Sequence, residues 1–489
     1  MNSNKKFRFT DKLDINSNTN LVRIISVLFI ASIVLIPFDN LPYMSGVMGE
    51  LGNRGGVYPF IIIIPLIIVL LAKNRQIYII KTIESKILIM FFIWVVLSDI
   101  VNLPFIQNNL FKGRSGLNKL IVQMMVLVFM FAITYSTEII IQLKKLTLYD
   151  YRKYILYSTI PVIIYGTIEL IHFLGIFDFS YILKGISYIF QSYYRGEVYT
   201  KGIRTICGEV SYFAMYSAFI IPWIVSYIFT EKGIKKKLFF SGISGYLLIL
   251  LIFSKSRTAY AIIFAQIFLF TLLILISKID KKIKINVIKS IVIVLLSFSF
   301  LNNTIISKIG GDSNSIQKIS IQGLINSITD SNNMSNIARF GLQKSAFDIG
   351  IDNPVFGVGI GQFGFNVKDN LSSKALTSYE VQRWISEDED VHEYWPPAFA
   401  LYPRIMAEQG AVGLLIWIVF IGYVVLKALF RLRKRKNDII GIALIVSFIG
   451  ILIVWINADT FAQVPFWITL PFIVRYNNNN LVEENNSLI

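Results

Sequence analysis

The sequence predicts an all-α polytopic membrane protein, with about twelve transmembrane helices and one large periplasmic loop between the ninth and the tenth. Two observations carry this prediction. Of the 489 residues, 55% are hydrophobic and only 16% are charged, and the mean hydropathy of +0.62 is far above that of a soluble globular domain. Apolar stretches long enough to cross a bilayer also recur along the chain. The single cysteine, Cys207, excludes an internal disulfide framework.

The chain opens with a polar segment, residues 1–20, which has no small-residue cleavage site after the next apolar run and is interpreted as a cytoplasmic tail. Nine predicted spans fill residues 21–303, three more fill residues 400–475, and a second cytoplasmic tail covers 476–489. The second and last spans are short, so the count can shift by one or two. The spans lie near 21–38, 57–72, 86–103, 117–135, 153–175, 208–230, 238–254, 257–276, 285–303, 400–430, 438–457 and 463–475.

The short loops set the orientation. With the N-terminus inside, every predicted cytoplasmic connection is basic, as the positive-inside rule expects for a bacterial inner membrane protein. Orientation and lipid contact therefore explain most of the net charge of +17, and no nucleic-acid partner is predicted. The basic residues are Lys73, Arg75 and Lys81; Lys144, Lys145 and Arg152; Lys232, Lys235, Lys236 and Lys237; Lys278, Lys281, Lys282 and Lys284; and Arg431, Arg433, Lys434, Arg435 and Lys436.

The connection at residues 304–399 is the exception among these short loops, and the alternation of spans places it outside as a loop domain. Its first part, residues 310–336, is rich in Ser, Asn, Asp and Gly and indicates flexible loop. Residues 337–350 then show apolar positions at helical spacing. An acidic and aromatic stretch at residues 379–395 is typical of a solvated face.

A formal GxGxxG pattern occurs within this domain, at Gly359, Gly361 and Gly364. A dinucleotide site is not predicted, because no strand-turn-helix unit surrounds the pattern. A tight turn that packs against the membrane face is favoured instead.

Arginines on the outer side are the most informative residues, because the positive-inside rule does not require them there. The sixth, eighth and tenth spans run inward, so each presents free amides and a positive dipole end beside an arginine. Since guanidinium groups suit phosphate and diphosphate, the set predicts an anion site. For any one of them, snorkelling or an ion pair is the alternative. The set comprises Arg195, Arg204, Arg257, Arg339 and Arg404.

Four short motifs follow one another between residues 195 and 430. They are RTICGE at 204–209, SRTA at 256–259, Arg339 followed by NPVFGVG at 353–359, and AEQGAVGL at 407–414. In order and sidedness they resemble the O-antigen polymerase and O-antigen ligase superfamily of bacterial envelope glycosyltransferases. Arg339 and Gly350 also fit the pattern of an arginine, ten residues and a glycine that is associated with polymerase loops.

The resemblance implies a reaction. Such enzymes transfer a glycan from an undecaprenyl diphosphate carrier to an acceptor sugar hydroxyl on the periplasmic face, without a metal or other cofactor. Arg204, Arg257 and Arg339 would stabilise the departing diphosphate. Arg195 and Arg404 are further diphosphate- or glycan-binding candidates.

Three residues are candidates for the general base of that reaction: Glu209, Glu408 and His392, in that order. Each has a simpler alternative. Glu209 is placed to cap its helix, Glu408 to pair with Arg404 one turn earlier, and His392 to be an ordinary surface residue. The other histidine, His172, is interpreted as packed or interfacial.

The polymerase and the ligase differ in their acceptor, a lipid-linked repeat unit for the polymerase and lipid A core for the ligase. In the ligases a histidine and an asparagine usually precede the glutamate-glycine motif, but Phe399 and Ala400 stand there in this chain. This departure favours the polymerase. The ligase stays the alternative, because His392 takes that role if the loop alignment shifts.

A flippase for lipid-linked oligosaccharides is the alternative from another functional class, although the chain shows no internal repeat and carries a large external loop. The predicted partners of the polymerase are an undecaprenyl-diphosphate-linked oligosaccharide, membrane lipid and a polysaccharide chain-length regulator.

Overall fold

The computed structural model describes residues 8–17, 19–289, 330 and 333–479. The helices, numbered in chain order, are α1 (Asn20–Val34), α2 (Ser45–Met48), α3 (Tyr58–Lys73), α4 (Ile83–Ile106), α5 (Gly116–Lys144), α6 (Leu148–Phe173), α7 (Ser180–Phe190), α8 (Val210–Thr230), α9 (Ile234–Phe253), α10 (Arg257–Ile276), α11 (Met334–Asp352), α12 (Phe363–Asn366), α13 (Tyr379–Ile385), α14 (Leu401–Lys434), α15 (Ile439–Val454) and α16 (Val464–Asn477). Residues 281–289 are also helical. Single 3-10 turns cover Gly49–Leu51, Gly55–Val57, Lys368–Asn370, Ala375–Thr377 and Glu389–Val391.

The all-α polytopic prediction is confirmed. Within the part of the chain that the structure describes, eight helices are long and apolar enough to cross a membrane, and α1 and α15 are shorter apolar helices. Every predicted span except the ninth coincides with a helix. The ninth span lies outside the described residues from residue 290 onward, and so do most of the predicted flexible loop at 310–336, residues 1–7 and 18 of the N-terminal tail, and residues 480–489 of the C-terminal tail.

Helix capping places some helix ends a few residues away from the predicted ends of the spans. Helix α6 begins at Leu148 rather than near 153, because Thr147 and Asp150 form a capping box there. Helix α7 was not predicted, since it is too short to span a bilayer. Its Leu183 is buried whereas its Tyr181 is 90% exposed, so it is an amphipathic helix outside the set of spans.

The connections between the helices gather at two faces. Strand β1 (Arg8–Thr10) pairs in parallel with β2 (Gln76–Tyr78), which joins the N-terminal segment to the loop after α3. The amide of Asn437 also donates to the carbonyl of Lys278, at 3.0 Å. We call this side the basic face; its connections are residues 8–17, 74–82, 145–147, 231–233, 277–280 and 435–438.

The opposite side is called the loop face here, and its connections are residues 35–57, 107–115, 174–209, 254–256, 353–400 and 455–463. Backbone hydrogen bonds tie them together: Ser192 N donates to Asn40 O at 2.7 Å, and Leu401 N to Trp455 O at 2.9 Å. A small hairpin of β3 (Leu110–Phe111) and β4 (Arg114–Ser115) lies on the same side. The loop face therefore forms one connected layer over the helix bundle.

Helix α11 anchors the described part of the large loop on α14. Ala338, Leu342, Ala346 and Ile349 of α11 are buried in one cluster with Ala407 of α14. This small core is separate from the main core of the bundle. The predicted helical segment at 337–350 is thus a real helix, and its apolar face positions Arg339 above the membrane bundle.

Candidate functional site

The glycine-rich run lies against a kink in α14. Gly410 has a φ of 69° inside that helix, and the amide of Ala411 donates to Pro354 O at 2.7 Å. The amide of Gly359 donates to Glu408 O at 2.9 Å. A Cβ on Gly357 would stand 2.5 Å from Ala407 O. Glycine is required here because two backbones come into direct contact.

Helix α4 holds the same run from the other side. The Asp99 carboxylate accepts the amide of Ile360 at 2.8 Å, and Asn102 donates to Gly357 O at 3.1 Å. The Trp94 ring stacks on Phe356 with the ring centroids 5.2 Å apart. The GxGxxG pattern is therefore a backbone anchor between α4 and α14, in agreement with the predicted turn.

Arg404 and Glu408 form a buried ion pair one turn apart on α14. Arg404 Nε donates to Glu408 Oε1 at 3.1 Å. The guanidinium also donates to Gln123 Oε1 and to the carbonyl of Asp459, both at 2.7 Å. Glu408 Oε1 additionally accepts the amide of Phe363 at 3.5 Å. The structure therefore shows the alternative role of Glu408, which is to pair with Arg404. This pairing neutralises the charge of Arg404 within the protein.

Arg204 lies fully buried in the segment before α8. Its Nη1 donates to Gly208 O at 3.1 Å, and its guanidinium lies over the Tyr199 ring, 4.7 Å from the centroid. The Glu169 carboxylate accepts hydrogen bonds from the backbone amides of Arg204 and Thr205, at 3.0 and 2.8 Å. Nε and Nη2 of Arg204 have no hydrogen-bond partner among the described residues. A buried cation with open donors is suited to receiving an anion.

Arg257 and Arg339 meet beside this segment. The amide of Ile203 donates to Phe253 O at 3.1 Å, which brings residues 203 and 204 to the start of α10. Burial, and next the charge of Arg257, lowers the pKa of Arg339 below its usual range, while Glu380 and then Glu209 act in the opposite direction. Arg339 also lies over the Phe399 ring, 5.3 Å from the centroid. We call Arg204, Arg257, Arg339 and Glu209 the arginine cluster.

Glu209 occupies the N-cap position of α8, but its side chain does not cap the helix. Its carboxylate accepts a long hydrogen bond from Ser211 Oγ, at 3.5 Å. Burial, and next the nearby Glu209 carboxylate, raises the pKa of Tyr199 to about 12. Glu209 is therefore a carboxylate among cations, with little of its hydrogen-bonding capacity used by the protein.

With this geometry described, the comparison with known families is informative. Residues 242–418 match the family model described as O-antigen ligase. The match confirms the resemblance to the O-antigen ligase and polymerase superfamily. No curated protein matches the chain. The matched O-antigen ligase region contains Arg257, Arg339, the glycine-rich run and the Arg404–Glu408 pair, whereas Arg204 and Glu209 precede it.

Two predicted site residues make contacts elsewhere on the loop face. Arg195 donates to Tyr188 O at 3.0 Å and lies over the ring of that tyrosine. His392 is hydrogen-bonded through Nε2 to Glu387 O at 2.7 Å. His172 is 3.3 Å from the exposed Asp178, in keeping with an interfacial role. The geometry thus groups Arg204, Arg257, Arg339 and Glu209 and gives Arg195 and His392 other partners.

The first outer loop contributes residues that the sequence reasoning missed. Asp39 accepts the amide of Gly208 at 2.8 Å, directly before Glu209. Arg54 lies over the Tyr212 ring, 5.5 Å from its centroid, and within the electrostatic range of Asp39. Arg54 lies outside in the predicted topology, so the same test that selected the other arginines would have found it.

A second group of cations surrounds Trp395 on the loop face. Lys119 Nζ lies 3.9 Å from the centroid of that ring, and the Arg114 guanidinium lies 5.3 Å from it. Phe111 and Phe365 also contact this indole edge to face, so cations and aromatic rings enclose it. Among the described residues, no three His, Cys, Asp or Glu side chains come together as metal ligands.

Proposed function

We propose that this protein is a polymerase of O-antigen or a related surface polysaccharide, which extends a lipid-diphosphate-linked glycan on the outer face of the bacterial inner membrane. The observation that supports it most directly is the arginine cluster. Arg204, Arg257 and Arg339 come from three separated segments of the chain and lie near Glu209 on the loop face, with Glu380 also close to Arg339. The O-antigen ligase family match covers two of the three.

The cluster suits a diphosphate leaving group. When the bond between the anomeric carbon and the diphosphate oxygen breaks, the electron pair stays on that oxygen and negative charge grows there. Guanidinium groups remain charged when buried, and Arg204 keeps Nε and Nη2 without partners among the described residues. The cations would therefore bind the departing group more tightly than the bound donor.

Glu209 is the best placed of the three candidate bases. Glu408 is held by Arg404, and His392 is bonded to a backbone carbonyl. In the proposed step the acceptor hydroxyl oxygen bonds to the anomeric carbon and its proton passes to the Glu209 carboxylate. The Glu209 side chain is free to take that proton because the protein uses little of its hydrogen-bonding capacity.

The identity of residue 399 favours the polymerase over the ligase. In this structure Phe399 is packed between Trp384 and Arg339, with its ring centroid 5.3 Å from that of Trp384. A hydrocarbon ring supplies no proton acceptor at the position where the ligase resemblance calls for a histidine. Ala400, the next residue, is buried and also has no polar side chain.

The test is reconstitution of the full chain in liposomes with a lipid-diphosphate-linked oligosaccharide, with and without lipid A core. A ladder of longer lipid-linked glycans without added nucleotide supports the polymerase. Transfer to lipid A core without a ladder would establish the ligase instead. Movement of labelled lipid between leaflets without new bonds would identify a flippase and overturn the transferase assignment.

A further inference from the structure

Two cavities open next to each other at the basic face, on the opposite side from the arginine cluster. The first, called the polar compartment because it is the more polar of the two, has a volume of about 450 Å³, and the second, the apolar compartment, has about 470 Å³. Tyr78, Glu138 and Val474 line both of them. The cavities are therefore two compartments of one site, which the proposed glycan chemistry does not use.

The polar compartment carries an excess of positive charge. Its lining includes Lys12, Lys81, Lys145 and Arg475 against the two acids Asp11 and Glu138. Asp11 pairs with Lys81 at 3.2 Å, and Glu138 pairs with Arg475 at 2.7 Å. Both acids are thus engaged by cations, and Lys12 and Lys145 add charge that the lining does not balance.

The apolar compartment extends from there into the depth of the bundle. It lies between α4 and α5, with Phe420 of α14 and Leu470 of α16 in its lining. Along α5 the lining runs from Glu138 to Phe131. Two helical turns separate these residues, a rise of about 10 Å along the membrane normal. The compartment is deep enough to take the first part of an acyl chain.

We infer that this site binds a phospholipid with a net negative headgroup from the leaflet at the basic face. The phosphodiester lies against Lys12 and Lys145, and one acyl chain enters the groove between α4 and α5. Charge complementarity selects the headgroup, because basic residues near a membrane surface attract anionic lipids. The adjoining apolar compartment makes a whole lipid, rather than a free phosphate, the fitting ligand.

Native mass spectrometry of the purified full chain tests this, with phosphatidylglycerol and phosphatidylcholine of the same acyl composition. Phosphatidylglycerol is expected to stay bound to the wild type at detergent levels that remove phosphatidylcholine. The double variant Lys12→Gln with Lys145→Gln should lower phosphatidylglycerol affinity by about tenfold or more. The control double variant Lys232→Gln with Lys235→Gln removes two exposed charges from the same face and should leave affinity unchanged.

The acyl compartment is tested separately by Ala132→Phe, which fills the groove while leaving every lysine in place. This variant should also lose phosphatidylglycerol, and glycerol phosphate added alone should not displace the lipid. Equal retention of the two lipids by the wild type would overturn the inference. So would an equal loss in the control double variant, or displacement by glycerol phosphate. None of these readouts depends on glycan extension.

Discussion

Two groups on the loop face combine arginine with glutamate, and they use their charges in opposite ways. In the Arg404–Glu408 pair the carboxylate, Gln123 and a backbone carbonyl all accept hydrogen bonds from the guanidinium. In the arginine cluster the guanidinium groups lie near Glu209, with Glu380 also close to Arg339, and Arg204 keeps unpartnered donors among the described residues. In the first group the charges of Arg404 and Glu408 offset each other, although Glu408 Oε2 has no hydrogen-bond partner among the described residues. In the second group a buried arginine keeps open donors, which suits an anionic substrate.

The largest expected effect is on catalysis. Arg257→Ala or Arg339→Ala should lower glycan extension by about 10²- to 10³-fold, because each removes a donor that stabilises the departing diphosphate. The amount of folded protein in the membrane should stay at the wild-type level. Gel analysis of the extended glycans together with quantitative immunoblots measures both quantities.

A matched control on the same helix sharpens this prediction. Lys344→Gln removes one charge from α11, where Lys344 is paired with Asp348 at the surface. It should leave the glycan ladder unchanged. A wild-type ladder from Arg339→Ala, or an equal loss of activity in Lys344→Gln, would contradict the role of the cluster.

Breaking the buried Arg404–Glu408 pair should lower the stability of the protein. Glu408→Ala leaves the Arg404 charge buried without its partner, which costs about 3–5 kcal/mol. The variant is therefore expected to lose melting temperature in detergent and to be present at low abundance. Glu209→Gln serves as the comparison, because it should keep the melting temperature and lose activity. An unaltered melting temperature for Glu408→Ala would show that the pair is not structural.

A substitution at the kink of α14, against which the glycine-rich run packs, should lower the melting temperature by a smaller amount. Gly410→Ala forces a side chain into a backbone with φ 69° against the carbonyl of Val355, at a cost of about 1–3 kcal/mol. Gly422→Ala is the control in the same helix, since a Cβ there meets nothing within 4 Å. It should be neutral or stabilise slightly. Equal melting temperatures for the two variants would show that the left-handed conformation at Gly410 carries no strain.

Sequence patterns are most informative here about which side of the membrane a residue faces. Arg204, Arg257 and Arg339 were selected because the alternation of spans places them outside, whereas Glu209 was selected as a candidate base for the reaction that the resemblance implies. The structure then brings them into one cluster. For Arg404 the sequence left two interpretations open, an anion ligand and an ion pair with Glu408 one turn later, and the structure shows the ion pair. The added hydrogen bond to Gln123, far away along the chain, follows from helix packing, which no local pattern encodes.

The smallest predicted effect concerns pH. Burial raises the pKa of Asp39 to about 6, against the opposing effect of Arg54. A carboxyl group with a raised pKa binds its proton more tightly in the folded state, so its contribution to stability is present at acidic pH and is lost as the pH rises toward 6. Relative to Asp39→Asn, the wild type should lose about 1–2 kcal/mol of stability between pH 4 and pH 6.5. Melting curves at several pH values measure this difference, and parallel curves would contradict it.

The most direct test of the central claim is binding of a short-chain prenyl diphosphate to the detergent-solubilised protein, measured by isothermal titration. Wild type and Glu209→Gln should both bind the diphosphate, since the guanidinium groups of the cluster, and not its carboxylate, hold the anion. Arg339→Ala should bind it at least about tenfold more weakly, whereas Lys344→Gln should match the wild type. Equal affinity in Arg339→Ala and the wild type would contradict a diphosphate site at the arginine cluster.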